Sequence, residues 1–198
     1  MIKLIVTENL STEDARHKKL LAEVRALLED KKLKIEYSVR GKPSITGTAE
    51  PKFISVTTCG KYMVAAVSNT AIGIDGEWLG RFGSARAGSG QDESACDESA
   101  QERGKVDYTA IAERFFTEEE AEFVRGGDGE HERFIRIWVR KEAFVKFTGK
   151  GLVDFPNFSV SDGERFFGKV NGVPIKKLVI PTEDAAEYVF AVAGDYDK

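Results

Sequence analysis

The segment Trp138-Val-Arg-Lys-Glu-Ala-Phe-Val-Lys146 lies in the strongest predicted helix of the chain, which runs from His131 to Phe147. Trp138, Glu142 and Lys146 are spaced four residues apart, so they share one face of that helix. Because Trp138 is a large aromatic side chain, we expect this face to be buried. A buried carboxylate without a partner is costly or takes up a proton. Glu142 therefore either pairs locally with Lys146 or belongs to a functional site.

The stretch Ile72-Gly-Ile-Asp-Gly-Glu77 carries two further acidic residues at the end of a predicted strand, Ala71–Asp75. Side chains on a strand alternate between its faces, so Asp75 and Glu77 project to the same side. Like charges placed side by side are destabilising unless a positive charge lies between them. The pattern fits either a cation site or a solvated strand end, and the two glycines would let a ligand approach the backbone closely.

Taken together, Asp75, Glu77 and Glu142 supply three carboxylates that could share one hard divalent cation. Mg²⁺ prefers oxygen ligands and is usually held by a few carboxylates together with substrate phosphates and water. Lys141 and Lys146 flank Glu142 and are natural partners for phosphate oxygens. These residues therefore predict a magnesium-dependent site for a phosphorylated or pyrophosphorylated ligand.

The composition narrows the class of protein. The chain has 198 residues, of which 41% are hydrophobic and 31% are charged, as is typical of a soluble globular protein. The formal net charge of −4 argues against a protein that coats nucleic acid. The longest apolar run, Tyr62 to Val67, is too short to span a bilayer, and no export signal is visible. Two scattered cysteines, Cys59 and Cys96, are typical of reduced thiols, so we expect a cytoplasmic protein with no membrane partner.

The remaining segments predict an α+β fold. Capping-box spacings at Ser11 with Asp14 and at Thr117 with Glu120 indicate helix starts. The predicted elements are a strand over 2–6, a helix that ends near 28, a hairpin over 53–68, helices over 109–116 and 118–125, and a buried strand over 187–192. Four basic residues, Arg16 to Lys19, crowd the start of the first helix. They oppose the helix dipole, so they are either solvated or serve an anion.

The segment of about 81–107 differs from its surroundings in composition. It is rich in Gly, Ser, Asp and Glu, and it repeats Asp-Glu-Ser-Ala. Such a segment buries too little apolar surface to offset the entropy of ordering it, which predicts a flexible insertion. A loop of this length is either inert or a lid over a site.

Several motifs together resemble those of the 4′-phosphopantetheinyl transferase family. The signature pair is Gly73-Ile-Asp75-x-Glu77 followed by Trp138-x-x-Lys141-Glu142-Ala143-x-x-Lys146. Flanking segments are similar to the surfactin-synthetase-activating (Sfp-type) branch: Ile111–Thr117, Gly149–Leu152, Phe158–Val160 and Gly41-Lys42-Pro43. The resemblance implies two pseudo-symmetric α+β halves in one chain, here 1–73 and 74–198, with the insertion in the second half.

The family resemblance also implies an activity. Such enzymes transfer the 4′-phosphopantetheine group of coenzyme A to a serine of an apo acyl or peptidyl carrier protein. The products are holo carrier protein and adenosine 3′,5′-bisphosphate, and the cofactor is Mg²⁺, with Mn²⁺ as an alternative. Because both halves are in one chain, the resemblance further implies a monomer.

The same resemblance assigns roles to individual residues. Asp75, Glu77 and Glu142 would bind the metal, and Glu142 would also deprotonate the serine, directly or through a water. Lys146 would stabilise charge on the pyrophosphate. The residues expected to bind coenzyme A are Lys18, Lys42, Pro43, Thr57, Thr58, Asp75, Lys141 and Lys146. Arginines of the long helix would dock an acidic carrier: Arg133, Arg136 and Arg140.

Two positions depart from the family pattern. Thr57-Thr58-Cys59 precedes the turn at Gly60 where the family usually has Ser-His-Ser, whose histidine contacts the 3′-phosphate. Thr58 can donate a hydrogen bond but carries no charge. Gly76 stands where the family often has Ile or Val. Two alternatives stay open: another magnesium-dependent phosphoryl or diester-cleaving enzyme, and an inactive homologue that binds coenzyme A or a carrier protein.

Overall fold

The computed structural model describes residues 2–39, 41–79, 106–182 and 184–195. The predicted insertion, apart from its last two residues, lies outside these ranges, as does Cys96. No helix within them is both long enough and apolar enough to cross a bilayer. Cys59 is a buried thiol without a disulfide partner in the described part of the chain.

Along the described residues, one strand and one helix are followed by five consecutive strands, and three α-helices then precede the last three strands. The strands are β1 (Lys3–Glu8), β2 (Lys34–Tyr37), β3 (Pro43–Thr46), β4 (Phe53–Cys59), β5 (Tyr62–Ser68), β6 (Ile72–Trp78), β7 (Lys169–Val170), β8 (Val173–Leu178) and β9 (Tyr188–Gly194). The helices are α1 (Glu13–Leu28), α2 (Tyr108–Phe115), α3 (Glu118–Arg125) and α4 (Glu130–Thr148), with 3₁₀ turns at Leu152–Asn157 and Ala185–Glu187.

Two antiparallel sheets form the framework. The first has the strand order β1-β5-β4 and is packed against α1 through Leu20, Val24 and Met63. The second has the order β6-β9-β8-β7, and α4 lies across its β6 and β9. An apolar cluster between the two sheets joins them, and it includes Val64 of β5 and Ile74 of β6. The combination of helices with antiparallel sheets confirms the predicted α+β class.

The sequence pattern located most elements but misplaced some details. The N-cap of α1 is Thr12, whose hydroxyl accepts a hydrogen bond from the amide of Ala15, and not Ser11. The β2–β3 hairpin was not predicted as strands, because its strands have only four residues each and only one of the eight residues is buried. The capping box at Thr117 and Glu120 is present. The division into halves at 73 stays a prediction; that boundary lies inside β6, which pairs with β9 along its whole length.

The space above Gly76 is filled from the neighbouring strand. Gly76 is the register partner of Phe190, and a Cβ at position 76 would overlap the phenylalanine ring. The glycine and the large aromatic residue are therefore matched in volume, which explains why a β-branched residue is not accommodated here.

We expect Gly76→Ala to destabilise the fold by about 1–3 kcal/mol, the usual cost of overpacking a core. In a chain that already carries Phe190→Leu, the same change should cost less, because the ring no longer occupies the space. Urea unfolding of the two single variants and the double variant measures this coupling, expected to be about 1 kcal/mol or more. Additive effects would show that the ring and the glycine do not compete for space.

Candidate functional site

The contact between β6 and α4 brings the acidic residues of the two motifs together. A Cβ at Gly73 would overlap the carbonyl oxygen of Ala143 and lie 2.5 Å from the amide nitrogen of Phe147. Both atoms belong to the backbone of α4, so the helix rests directly on the strand at this glycine. This close approach places Glu142, next to Ala143, near Asp75, which lies two residues beyond Gly73.

Asp75 is buried and bonded on two sides. Its side chain is 8% exposed, and its Oδ1 lies 2.6 Å from the Nζ of Lys146. The same oxygen accepts a hydrogen bond from the hydroxyl of Thr57 at 3.0 Å. Burial acts to lower the pKa of Lys146, but the charge and hydrogen bond of Asp75 outweigh it, so the pKa is raised. Lys146 is therefore a charged partner of Asp75.

Glu142 shares its electrostatic environment with the two acids of β6. The pKa of Glu142 is raised to about 7, mainly by burial and next by the charge of Asp75, with a smaller contribution from Glu77. Lys146 acts in the opposite direction. Negative charge is thus crowded at one place, although the residues come from separate parts of the chain.

A cavity of about 410 Å³ opens beside these groups. Glu142 and Lys146 of α4 line one side, and Lys42 and Pro43 of the β2–β3 region line another. The Nζ of Lys42 donates a hydrogen bond to the carbonyl oxygen of Lys146 at 3.0 Å. The structure therefore brings four of the predicted site residues to one cavity: Lys42, Pro43, Glu142 and Lys146.

A smaller cavity of about 190 Å³ is lined by Thr57 and Thr58. Thr57 and Thr58 line it together with Pro43, and α1 contributes Arg16 and His17. Sequence reasoning did not name Arg16 or His17 as site residues. The crowding of basic residues at the start of α1 was the signal for them, but it did not distinguish one residue from the next.

The structure places Lys18, which the resemblance predicts to bind coenzyme A, on the surface of α1 and outside both cavities. Its ammonium lies 2.6 Å from Asp14 one turn earlier on α1, and its side chain is 76% exposed. It does not line either cavity described above. Lys18 follows His17 by one residue, which rotates its side chain by about 100° around the helix and away from the cavity.

The structure places Lys141, which the resemblance predicts to bind coenzyme A, in the core and away from the cavity. The side chain is fully buried and forms an ion pair of 2.7 Å with the equally buried Glu120. Its ammonium also donates to the carbonyl oxygens of Phe155, at 2.8 Å, and Phe158. Burial lowers the pKa of Lys141, with Glu120 acting against that effect. A lysine held in this way has no access to the cavity, so its contacts are structural.

Two of the three arginines expected to dock a carrier protein are also engaged in the fold. Arg133 donates to the carbonyl oxygen of Val124 at 2.9 Å, among other backbone carbonyls. Arg140 is buried with its guanidinium 4.1 Å from the centre of the Phe166 ring. Arg136 is partly exposed and available from the surface.

The donor set suits a hard divalent cation in its chemistry, since carboxylate oxygens are the ligands that Mg²⁺ prefers. The charges of Asp75 and Glu77 both contribute to the raised pKa of Glu142, so a positive charge among these groups would favour its ionised form. In the described residues, however, no group of three or more acidic, histidine or cysteine side chains is arranged as a metal site. The ammonium of Lys146 is instead the cation beside Asp75. Asp75, Glu77 and Glu142 therefore fit a divalent ion when the ammonium of Lys146 leaves Asp75 for another partner.

Comparison with known proteins gives an independent line of evidence. Residues 71–193, more than half of the chain, match the sequence profile described as the 4′-phosphopantetheinyl transferase superfamily. The matched region includes β6 and α4, which carry the three carboxylates, and all of β9 except Gly194. No curated protein matches the chain with significance. The chain, with its α+β fold and its acidic site between β6 and α4, belongs to the 4′-phosphopantetheinyl transferase superfamily.

Proposed function

We propose that this protein transfers the 4′-phosphopantetheine group of coenzyme A to a serine of an apo acyl or peptidyl carrier protein, with Mg²⁺ as cofactor. Membership of the superfamily supports phosphopantetheine transfer in general. The observation that carries the finer proposal is the cavity of about 410 Å³ where Glu142, Lys146 and Lys42 meet. Glu142 supplies a carboxylate there, and Lys146 and Lys42 supply two cations that can bind a diphosphate.

Asp75, Glu77 and Glu142 are the residues that would hold the ion, and Mn²⁺ could take its place. When bound, a divalent ion supplies positive charge to a diphosphate and so stabilises the transition state for its cleavage. Lys146 and Lys42 add positive charge from the protein side of the cavity. Charged groups held in place before the reaction begins commonly lower the barrier more than any other single effect.

The transfer itself is a displacement at phosphorus. The serine oxygen forms a bond to the phosphorus that carries the pantetheine arm, and the bond from that phosphorus to the bridging oxygen breaks. Adenosine 3′,5′-bisphosphate leaves with the bridging oxygen. The serine proton passes to Glu142, directly or through a water, since a positioned carboxylate can act as a general base.

The branch, assembly and location of the protein are parts of the same proposal. The motifs beside the acidic residues support the Sfp-type branch, and both halves of one chain contribute to the cavity, which supports a monomer. Lys42 comes from the first half, whereas Glu142 and Lys146 come from the second. The scarcity of cysteine supports a cytoplasmic location.

The test is incubation with several apo carrier proteins, coenzyme A and Mg²⁺, followed by mass spectrometry of the intact carrier. We expect one phosphopantetheine group to be added, with no addition after the metal is removed by a chelator and recovery when Mg²⁺ returns. An inactive homologue would bind coenzyme A without changing the mass of any carrier. Cleavage of coenzyme A without a gain by the carrier would indicate a diester-cleaving enzyme.

Thr58 predicts weak discrimination between coenzyme A and 3′-dephospho-coenzyme A. Its hydroxyl can donate one hydrogen bond to a 3′-phosphate, but it adds no charge. We expect the two KM values to differ by less than about tenfold, since one neutral hydrogen bond contributes about 0.5–1.5 kcal/mol. Thr58→His should increase the preference for coenzyme A. A strong preference in the unmodified protein would contradict this prediction and point to Arg16 and His17, which line the same cavity.

A further inference from the structure

Lys146 links the last turn of α4 to two strands of different sheets. Its Nζ lies 2.6 Å from Oδ1 of Asp75 on β6 and 3.4 Å from the carbonyl oxygen of Val56 on β4. The side chain of Asp75 is 8% exposed and that of Lys146 is 31% exposed. The ammonium thus already occupies a cation position beside the most buried of the three acids.

A divalent ion and this ammonium compete for Asp75. An ion bound to Asp75 would stand next to a positive charge at short range, and like charges repel strongly where water is largely excluded. Moving the ammonium away without a new partner is also costly, because a partly buried charge would be left uncompensated. Free metal alone is therefore opposed at this site by a residue of the chain itself.

A diphosphate in the neighbouring cavity removes that opposition. Lys146 lines the cavity of about 410 Å³ together with Lys42, so its ammonium can turn from Asp75 to phosphate oxygens without leaving the site. Charge-assisted hydrogen bonds to phosphate replace those to the carboxylate. Asp75 can then bind the ion, and Glu77 and Glu142, whose charges act on the same region, can bind it as well.

We infer that Lys146 is an internal counter-ion that makes the site selective for a divalent ion together with a diphosphate over the ion alone. This inference rests on the proposed function. It adds a physical reason for the ion and the diphosphate to bind cooperatively. Because coupling between two ligands is reciprocal, the ion strengthens diphosphate binding by the same factor as the diphosphate strengthens binding of the ion.

The test measures Mg²⁺ affinity by titration calorimetry in the absence and presence of saturating coenzyme A, corrected by a titration of Mg²⁺ into coenzyme A alone. In the unmodified protein we expect coenzyme A to tighten Mg²⁺ binding by about tenfold or more. In Lys146→Met, the affinity for Mg²⁺ alone should rise by about tenfold or more, and the effect of coenzyme A should become smaller than in the unmodified protein. Unchanged affinity for Mg²⁺ alone in this variant would overturn the inference.

Lys42→Met is the matched control. Its ammonium lines the same cavity but donates to the carbonyl oxygen of Lys146 and not to Asp75. This variant should bind coenzyme A more weakly while its affinity for Mg²⁺ alone changes by less than about threefold. An equal rise in both variants would show a general effect of net charge and overturn the specific role of Lys146. Lys146→Arg, which keeps the charge, should keep the weak binding of Mg²⁺ alone and serves if Lys146→Met fails to fold.

Carrier modification, assayed separately, distinguishes this inference from the proposed function. A protein that modifies carriers while Lys146→Met leaves Mg²⁺ binding unchanged would retain the function and exclude the counter-ion role. A protein that shows the coupling but modifies no carrier would support the counter-ion role and contradict the transfer reaction.

Discussion

Glu142→Gln is expected to lower kcat for carrier modification by about 10²–10⁴-fold, the usual contribution of a positioned general base. The amide keeps the shape of the side chain but cannot accept the serine proton, and it is a weaker ligand for a hard cation. The measurement is the initial rate of mass gain by an apo carrier at saturating coenzyme A and Mg²⁺.

The control for this variant is Glu132→Gln on the same helix. Glu132 is partly exposed and pairs with Arg136 one turn later, on the surface of α4. Its replacement should change the rate by less than about twofold, since exposed ion pairs of this kind contribute little. A Glu142→Gln protein that is folded by thermal unfolding and retains the full rate would show that the base lies elsewhere.

Lys141→Met is expected to lower the free energy of unfolding by about 3–5 kcal/mol, because it leaves a buried carboxylate without its cation. Both side chains of the Lys141–Glu120 pair are 0% exposed. Glu120 also accepts a hydrogen bond of 2.7 Å from the amide of Val160, so it holds the chain after α4 against the start of α3. Urea unfolding followed by circular dichroism measures the loss.

A second substitution separates a lost charge partner from lost packing. In Lys141→Met with Glu120→Gln, the buried charge is absent and the amide oxygen can still accept from Val160. We expect most of the loss to be recovered, because replacing both partners of a buried pair by neutral groups is often nearly neutral. Arg136→Met, at an exposed pair on the same helix, should cost less than about 1 kcal/mol. A loss below about 1 kcal/mol for Lys141→Met alone would contradict a structural role.

This stability prediction also separates the two interpretations of Lys141. A lysine that binds phosphate would change the KM for coenzyme A when replaced and leave unfolding almost unaffected. A lysine that holds α4 against the 3₁₀ turn at Leu152–Asn157 would do the reverse. The two carbonyl contacts of its ammonium, to Phe155 and Phe158, favour the second interpretation.

Local spacing was sufficient for much of the fold and for part of the site. The four-residue spacing in α4 placed Glu142 and Lys146 on one face, and both line the same cavity. Alternation along β6 placed Asp75 and Glu77 on one side, and both act electrostatically on Glu142. Capping-box spacing located the start of α3. In each case the prediction depends on the repeat of a single helix or strand, which neighbouring elements do not alter.

Which neighbour each face meets was decided by the tertiary structure. Lys141 and Lys146 have the same charge and lie five residues apart, so they point in directions that differ by about 140° around the helix. One reaches Asp75, and the other is buried against Glu120. Likewise His17 lines a cavity that its neighbour Lys18 does not. Residue type and spacing therefore identified the carboxylates and cations that could form the site. Their pairing was decided by long-range packing, above all by the close approach of α4 to β6 at Gly73, because only a contact between distant segments selects which charges share a buried space.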